Sequence, residues 1–311
     1  MNLSVGRLLN RRGTDGSIAV ASTTRVVNND DVVERRRAAL RLVDRHLSKS
    51  NFKLALSLLK NLHRQSSPFR LRGFAAAKQV PRRVSSVEQL HLSVTETSDL
   101  QSLLDAILDS IESGLQSCVT GEVDDLYLED DIVEHKQVVQ HEAGHFLVGY
   151  LLGVLPKKYR FSSMEDENVD ASVKFVGFEF LTELDDVVLS NNTLHEVKAG
   201  HAHQASKRQL SSTVLGKFAC VIVGGLVAEH LAFGYSKGHL GDVEKLDRVL
   251  KWLQFTEEEA NTLTRWAALN TLTILYRHSK ARSVLAEAML HGRSIGYCID
   301  TIESNLNHQN I

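Results

Sequence analysis

The segment His141-Glu142-Ala143-Gly144-His145 has the residue types and the spacing to do chemistry. On a helix, two residues four apart lie on one face, one turn apart. Two neutral imidazoles at that separation can share one zinc ion. Glu142, directly after the first histidine, is placed to take a proton from a metal-activated water as it attacks a carbonyl, and then to hand that proton to the leaving amine. H-E-x-x-H on a helix is the pattern of zinc hydrolases of peptides. The residues around it favour that reading over a pair of solvated histidines. Val138, Val139, Phe146, Leu147, Val148, Leu151 and Leu152 make the segment part of a core helix. Polar groups in such a helix need partners, and a metal would satisfy them.

Two histidines leave a zinc site incomplete; a third protein ligand is needed, with one position left for water. Downstream candidates are Glu196, His201, Glu229, His230, His239 and Asp242, and spacing alone does not select among them. Glu229 has a second reading, as an acceptor that orients a ligating imidazole, beside a plain helix-surface acid. His230 and His239 read as solvated or loop residues, and His201-Ala202-His203 as loop.

The elements that must position these groups are mostly helical. The chain has 311 residues, 43% apolar and 24% charged, with only 3 prolines and 3 cysteines. This composition excludes a wholly disordered, collagen-like or disulfide-scaffold protein. The odd cysteines, Cys118, Cys220 and Cys298, point to a reducing compartment. The H-E-x-x-H helix is expected from about Glu134 to Leu155, stopped by Pro156. Within 159–181, the alternation Ser172-Val173-Lys174-Phe175-Val176-Gly177-Phe178 predicts a strand. An apolar helix follows over 213–233, carrying Gly224-Gly225. Helices are then expected near 242–254, 257–279, 281–291 and 294–306, with Thr256 and Ser294 at two of their starts. Trp252 and Trp266 are expected in the core. Residues 213–233 are interrupted by Lys217, Glu229 and His230, so they read as a buried helix, and no uninterrupted membrane-spanning run is seen.

The front of the chain differs in charge. Residues 1–90 hold 18 Lys and Arg against 6 Asp and Glu, whereas the whole chain has a net charge of −2. Residues 1–30, poor in acid and rich in Arg, Ser and Thr, read as a disordered leader or a transit peptide. Residues 31–120 form a helical N-terminal region with a basic linker over 65–83, and the second domain runs over 134–311. The Arg35-Arg36-Arg37 run reads as a solvated helix face, with peripheral membrane contact through the basic half as the alternative. No nucleic-acid fingerprint accompanies the charge, so no nucleic-acid partner is expected.

The H-E-A-G-H segment and its apolar sequel are joined by a second segment, Gly224-Gly225-Leu226-Val227-Ala228-Glu229-His230-Leu231-Ala232-Phe233-Gly234, and by Asp242 after Gly238 and Gly241. Together these resemble the peptidase domain of FtsH-type zinc metalloproteases, over about residues 134–306. In that family the second segment reads G-G-R-x-A-E-E-x-x-F-G. The chain is similar, more closely still, to plant stress-regulated FtsH-like metalloproteases of the chloroplast that lack the ATPase; Gly73 to Pro81 resembles their front segment. The resemblance implies a mostly α metallopeptidase fold, with Zn2+ held by His141, His145 and Asp242, and Glu142 as catalytic base. It also implies a polypeptide substrate and a chloroplast setting; a cytoplasmic one is the alternative. Leu226 and His230 depart from the family pattern, and the loop to Asp242 is one residue shorter. No G-x-x-x-x-G-K-[ST] phosphate loop occurs, so ATP is not expected to be used and substrates should be unfolded or flexible. The alternative reading is an inactive FtsH-like scaffold or chaperone partner.

Overall fold

The computed structural model describes residues 29–66, 68–84, 86–90, 94–120, 131–161, 171–181, 210–238 and 240–306. Among these the protein is mostly α with one small strand element, the architecture expected from the sequence. Residues 1–28 of the expected leader, residues 121–130, Glu196, His201, His203 and His239 lie outside the described residues, while Asn29 and Asp30, read as the end of the leader, open the first helix.

The two expected front helices form as α1 (Asn29–Ser48) and α2 (Phe52–Arg64), and α3 spans Val94–Thr120. The H-E-x-x-H helix is α4 (Asp131–Leu151). It stops before the expected Leu155 because Gly153 adopts a left-handed φ of 77°. Gly153 N donates to the Tyr150 carbonyl at 3.0 Å and Val154 N to Gly149 at 2.8 Å, a Schellman closure that satisfies two orphan carbonyls. Pro156 then opens a strand instead of ending the helix. Strands β1 (Pro156–Arg160) and β2 (Ser172–Phe175) pair antiparallel, with Arg160 opposite Ser172 and Pro156 opposite Phe175.

The apolar stretch expected as one helix is two: α5 (Ser212–Ile222) and α6 (Gly224–Phe233), broken at Val223. By length and composition Ser212–Phe233 would suffice to cross a membrane, but 83% of its most apolar window is buried inside the protein. The chain continues through α7 (Leu240–Trp252), α8 (Glu257–Arg277), α9 (Ser279–Leu290) and α10 (Ile295–Asn305). Thr256 and Glu259 form the reciprocal capping box at the start of α8, and Ser294 caps α10. Trp266 is buried as expected, its indole N–H donating to the Val80 carbonyl at 2.8 Å. Trp252 is not buried: at the last turn of α7 it is 36% exposed, so its helical spacing did not report the core.

The core runs through both halves. α4 packs against α6, α9 and α5, with Phe146, Leu147, Leu151, Phe218, Val227, Ala228 and Leu285 buried in one cluster. From the front of the chain, α1 packs on α10, and α3 on α7 and α8. The segment read as a basic linker has no regular structure, yet Leu71 and Phe74 are buried in that same core. Its backbone finds partners there too. Ala75 N and Ala77 N donate to the last carbonyls of α4, those of Tyr150 and Leu151, at 3.2 and 3.0 Å. Glu303 on α10 accepts from Arg72 N, Gly73 N and the Tyr150 hydroxyl at 2.8, 2.7 and 2.6 Å.

The arginine run is only partly solvated. Arg36 is buried, and its Nε donates to Asp300 Oδ1 at 2.6 Å, while Arg37 Nε reaches Asp300 Oδ2 at 2.8 Å from a half-exposed position. Asp44, also on α1, accepts from Ser294 Oγ and Gly296 N, both at 2.7 Å, and so anchors the start of α10.

Candidate metal centre

α4 and α6 cross at glycines, Gly144 on one and Gly224 and Gly225 on the other. A Cβ added at Gly144 would lie 2.3 Å from the Gly224 carbonyl oxygen and 2.6 Å from Ala228 Cβ. One added at Gly225 would lie 2.2 Å from His141 Nε2. The glycine inside H-E-A-G-H and the Gly-Gly pair therefore serve one purpose: they let α6 press its backbone against the face of α4 that carries the histidines.

This contact brings a fixing group to each imidazole. His141 Nδ1 lies 2.5 Å from Glu229 Oε1, and His145 Nδ1 lies 2.7 Å from the Val221 carbonyl in the last turn of α5. Both are acceptors, so each imidazole carries its proton on Nδ1 and turns a bare Nε2 the other way. The two Nε2 atoms are 2.9 Å apart, and each is 2.9 Å from Asp242 Oδ2. Asp242 reaches them from the first turn of α7, where the helix dipole favours a carboxylate.

Three lone-pair atoms in mutual contact repel unless a cation lies among them. All three residues are buried, and together they form a group able to hold a metal ion. Two imidazole nitrogens and one carboxylate oxygen suit zinc, whose four tetrahedral ligand atoms stand roughly 3.3 Å apart. The cluster needs to open by only a few tenths of an ångström, on the order of the tolerance of such sites. The electrostatics agree. Burial opposes a positive His141, but the hydrogen bonds that Asp242 and Glu229 accept from it outweigh burial and raise its pKa to about 10, so that without a metal ion a proton on Nε2 takes the cation's place. Burial likewise opposes the Glu229 carboxylate, but hydrogen bonds donated to it by His141, the Lys237 backbone N–H and the Gln137 amide pull its pKa down to about 2. The pocket is built to concentrate positive charge.

Glu142 faces the same space. It is buried, its carboxylate accepts a hydrogen bond from the Val173 backbone on β2, and its Oε2 has no hydrogen-bond partner. Burial pushes its pKa above the ordinary carboxyl value, against the pull of His145 and His141. A buried, unpartnered carboxylate oxygen beside three converging ligand atoms has the position of a proton acceptor for water.

The structure thus brings together four of the residues singled out by the sequence: His141, Glu142, His145 and Asp242. Glu229 is no surface acid. It is 1% exposed and accepts from Gln137 Nε2 at 2.8 Å and Lys237 N at 2.7 Å while holding His141. His230 is not solvated either; it is buried, with Nε2 3.0 Å from Ser110 Oγ on α3. Leu226, the other departure from the family pattern, is buried in the core. Two participants escaped the sequence reading. Val221 contributes only a backbone carbonyl, which no residue type announces. Lys245, whose Nζ is 3.2 Å from Asp242 Oδ1, stands three residues after that aspartate on the same helix. No family model, no curated protein and no solved structure matches this chain, so the centre rests on its own geometry.

Proposed function

We propose that the protein is a zinc-dependent, ATP-independent metalloendopeptidase acting on unfolded or flexible polypeptides. The observation that carries this reading is the convergence of His141 Nε2, His145 Nε2 and Asp242 Oδ2 at 2.9 Å beside the unpartnered Oε2 of Glu142. His141, His145 and Asp242 would hold the ion. Zinc, when bound with one position open, acidifies water and polarises a carbonyl oxygen. The chain's own residues do the remaining work. Glu142 takes the proton of the attacking water at Oε2 and delivers it to the nitrogen of the departing amine. Glu229 and the Val221 carbonyl keep both imidazoles in the Nδ1–H tautomer, so that both Nε2 atoms face the ion. The raised pKa of Glu142 suits a group that must both accept and return a proton.

The test is metal analysis of the purified chain together with cleavage of an unfolded protein such as reduced casein. We expect about one zinc per chain, and in Glu142→Gln a loss of cleavage by at least about 100-fold with zinc retained. A Glu142→Gln protein that cleaves like the wild type, or a folded wild type without zinc, would overturn the proposal.

A further inference from the structure

The two oxygens of Asp242 have different surroundings. Oδ2 faces the imidazoles at 2.9 Å, whereas Oδ1 turns away and receives the Lys245 ammonium at 3.2 Å. Lys245 lies one turn further along α7, with its side chain 45% exposed, while the Asp242 side chain is only 9% exposed. The ammonium thus stands at the rim and holds a buried carboxylate from outside. This arrangement has a chemical consequence. A carboxylate can ligate a cation through one oxygen or through both, and the second mode fills the position that water needs. An ammonium on Oδ1 competes for that oxygen. It also offsets negative charge in a pocket that collects the carboxyl groups of Glu142, Glu229 and Asp242 around two imidazoles.

We propose that Lys245 is a positioning residue that restricts Asp242 to one-oxygen ligation and so keeps a coordination position free for water. The inference deepens the zinc reading and rests on it. Its test uses the full chain and two readouts other than catalysis. Cobalt(II) replaces zinc as a probe, because its visible absorption is strong when four-coordinate and weak when five- or six-coordinate; zinc affinity is measured by competition with a chromophoric chelator. The wild type is expected to take up one cobalt with strong absorption. Lys245→Met should lose much of that intensity as Oδ1 joins the ion, and should bind zinc about tenfold more tightly, because a competing positive charge is gone and a second oxygen is gained. Lys245→Arg, which keeps a cation on Oδ1, should match the wild type in both. Lys245→Gln gives a second neutral variant should the methionine disturb α7. Neutral variants with wild-type spectrum and affinity overturn the clamp, as does an equal change in Lys245→Arg. A wild type that binds neither metal fails before any substitution is compared, and removes the zinc reading along with the clamp.

Discussion

Gly225→Ala is the substitution whose effect on the centre follows most directly from the geometry. The added methyl would lie 2.2 Å from His141 Nε2 and 2.4 Å from both Cδ2 and Cε1. Non-bonded heavy atoms rest at about 3.5 Å, so ring and methyl must separate by roughly 1.3 Å. Metal–ligand distances tolerate about 0.2 Å. If the ring retreats, the centre loses a ligand; if α6 retreats, Glu229 goes with it and His141 loses its anchor. Zinc affinity should therefore fall by at least about 100-fold. The overpacking itself should cost about 1–3 kcal/mol of stability. Chelator competition reads the first effect and urea unfolding of the metal-free protein the second. Gly241→Ala is the matched control. It immediately precedes Asp242, but an added Cβ has nothing within 4 Å, so zinc affinity should stay at the wild-type level. A Gly225→Ala protein binding zinc as tightly as Gly241→Ala would refute the claim that backbone contact between α4 and α6 sets the His141 ring.

Two other perturbations probe the frame around the centre. Asp300→Ala would leave Arg36 buried without its counter-charge and should cost about 3–5 kcal/mol in urea unfolding, whereas Arg37→Ala, from a half-exposed position, should cost less than about 1 kcal/mol; equal costs would contradict the burial difference between the two arginines. His278 is kept neutral, its pKa lowered from 6.5 to about 4 by burial and by Arg277. The unfolded chain binds the proton first, so this group's contribution to stability is full above pH 6.5 and is lost as the pH falls towards 4. His278→Gln should flatten the stability–pH curve across that window, and a curve parallel to the wild type would rule the contribution out.

The candidate site is legible in the sequence where it rests on local spacing. Two histidines four apart in an apolar helix declare a shared face, and α4 presents that face. The third member of the cluster, Asp242, lies about a hundred residues on. No periodicity links it to the first two, and it was the resemblance that singled out Asp242 from six candidates. Glu229 carried a signal that went unused: its neighbours Leu226, Val227, Ala228 and Leu231 leave the helix apolar all round, so an acid there must be buried and partnered. The break at Val223 was hidden because hydropathy reports burial without reporting the path of the backbone. The glycines on either side of the crossing were visible as residues, but only the packed structure shows which atoms they admit. Arg36 and Arg37 are identical in composition and adjacent in sequence; their different fates depend on Asp300, more than 260 positions away.

The pairing of α1 with α10 has a practical meaning for anyone who would trim this protein to the half that carries the candidate metal centre. A fragment starting at Glu134 would uncover Tyr150, strip Glu303 of the two backbone donors at Arg72 and Gly73, and leave Asp300 facing solvent with neither arginine. It would also remove α3 from its seat beside α7, the helix that delivers Asp242. The front hundred residues therefore act as an internal splint for the centre, and expression of the excised half should yield a chain that aggregates before it can be assayed.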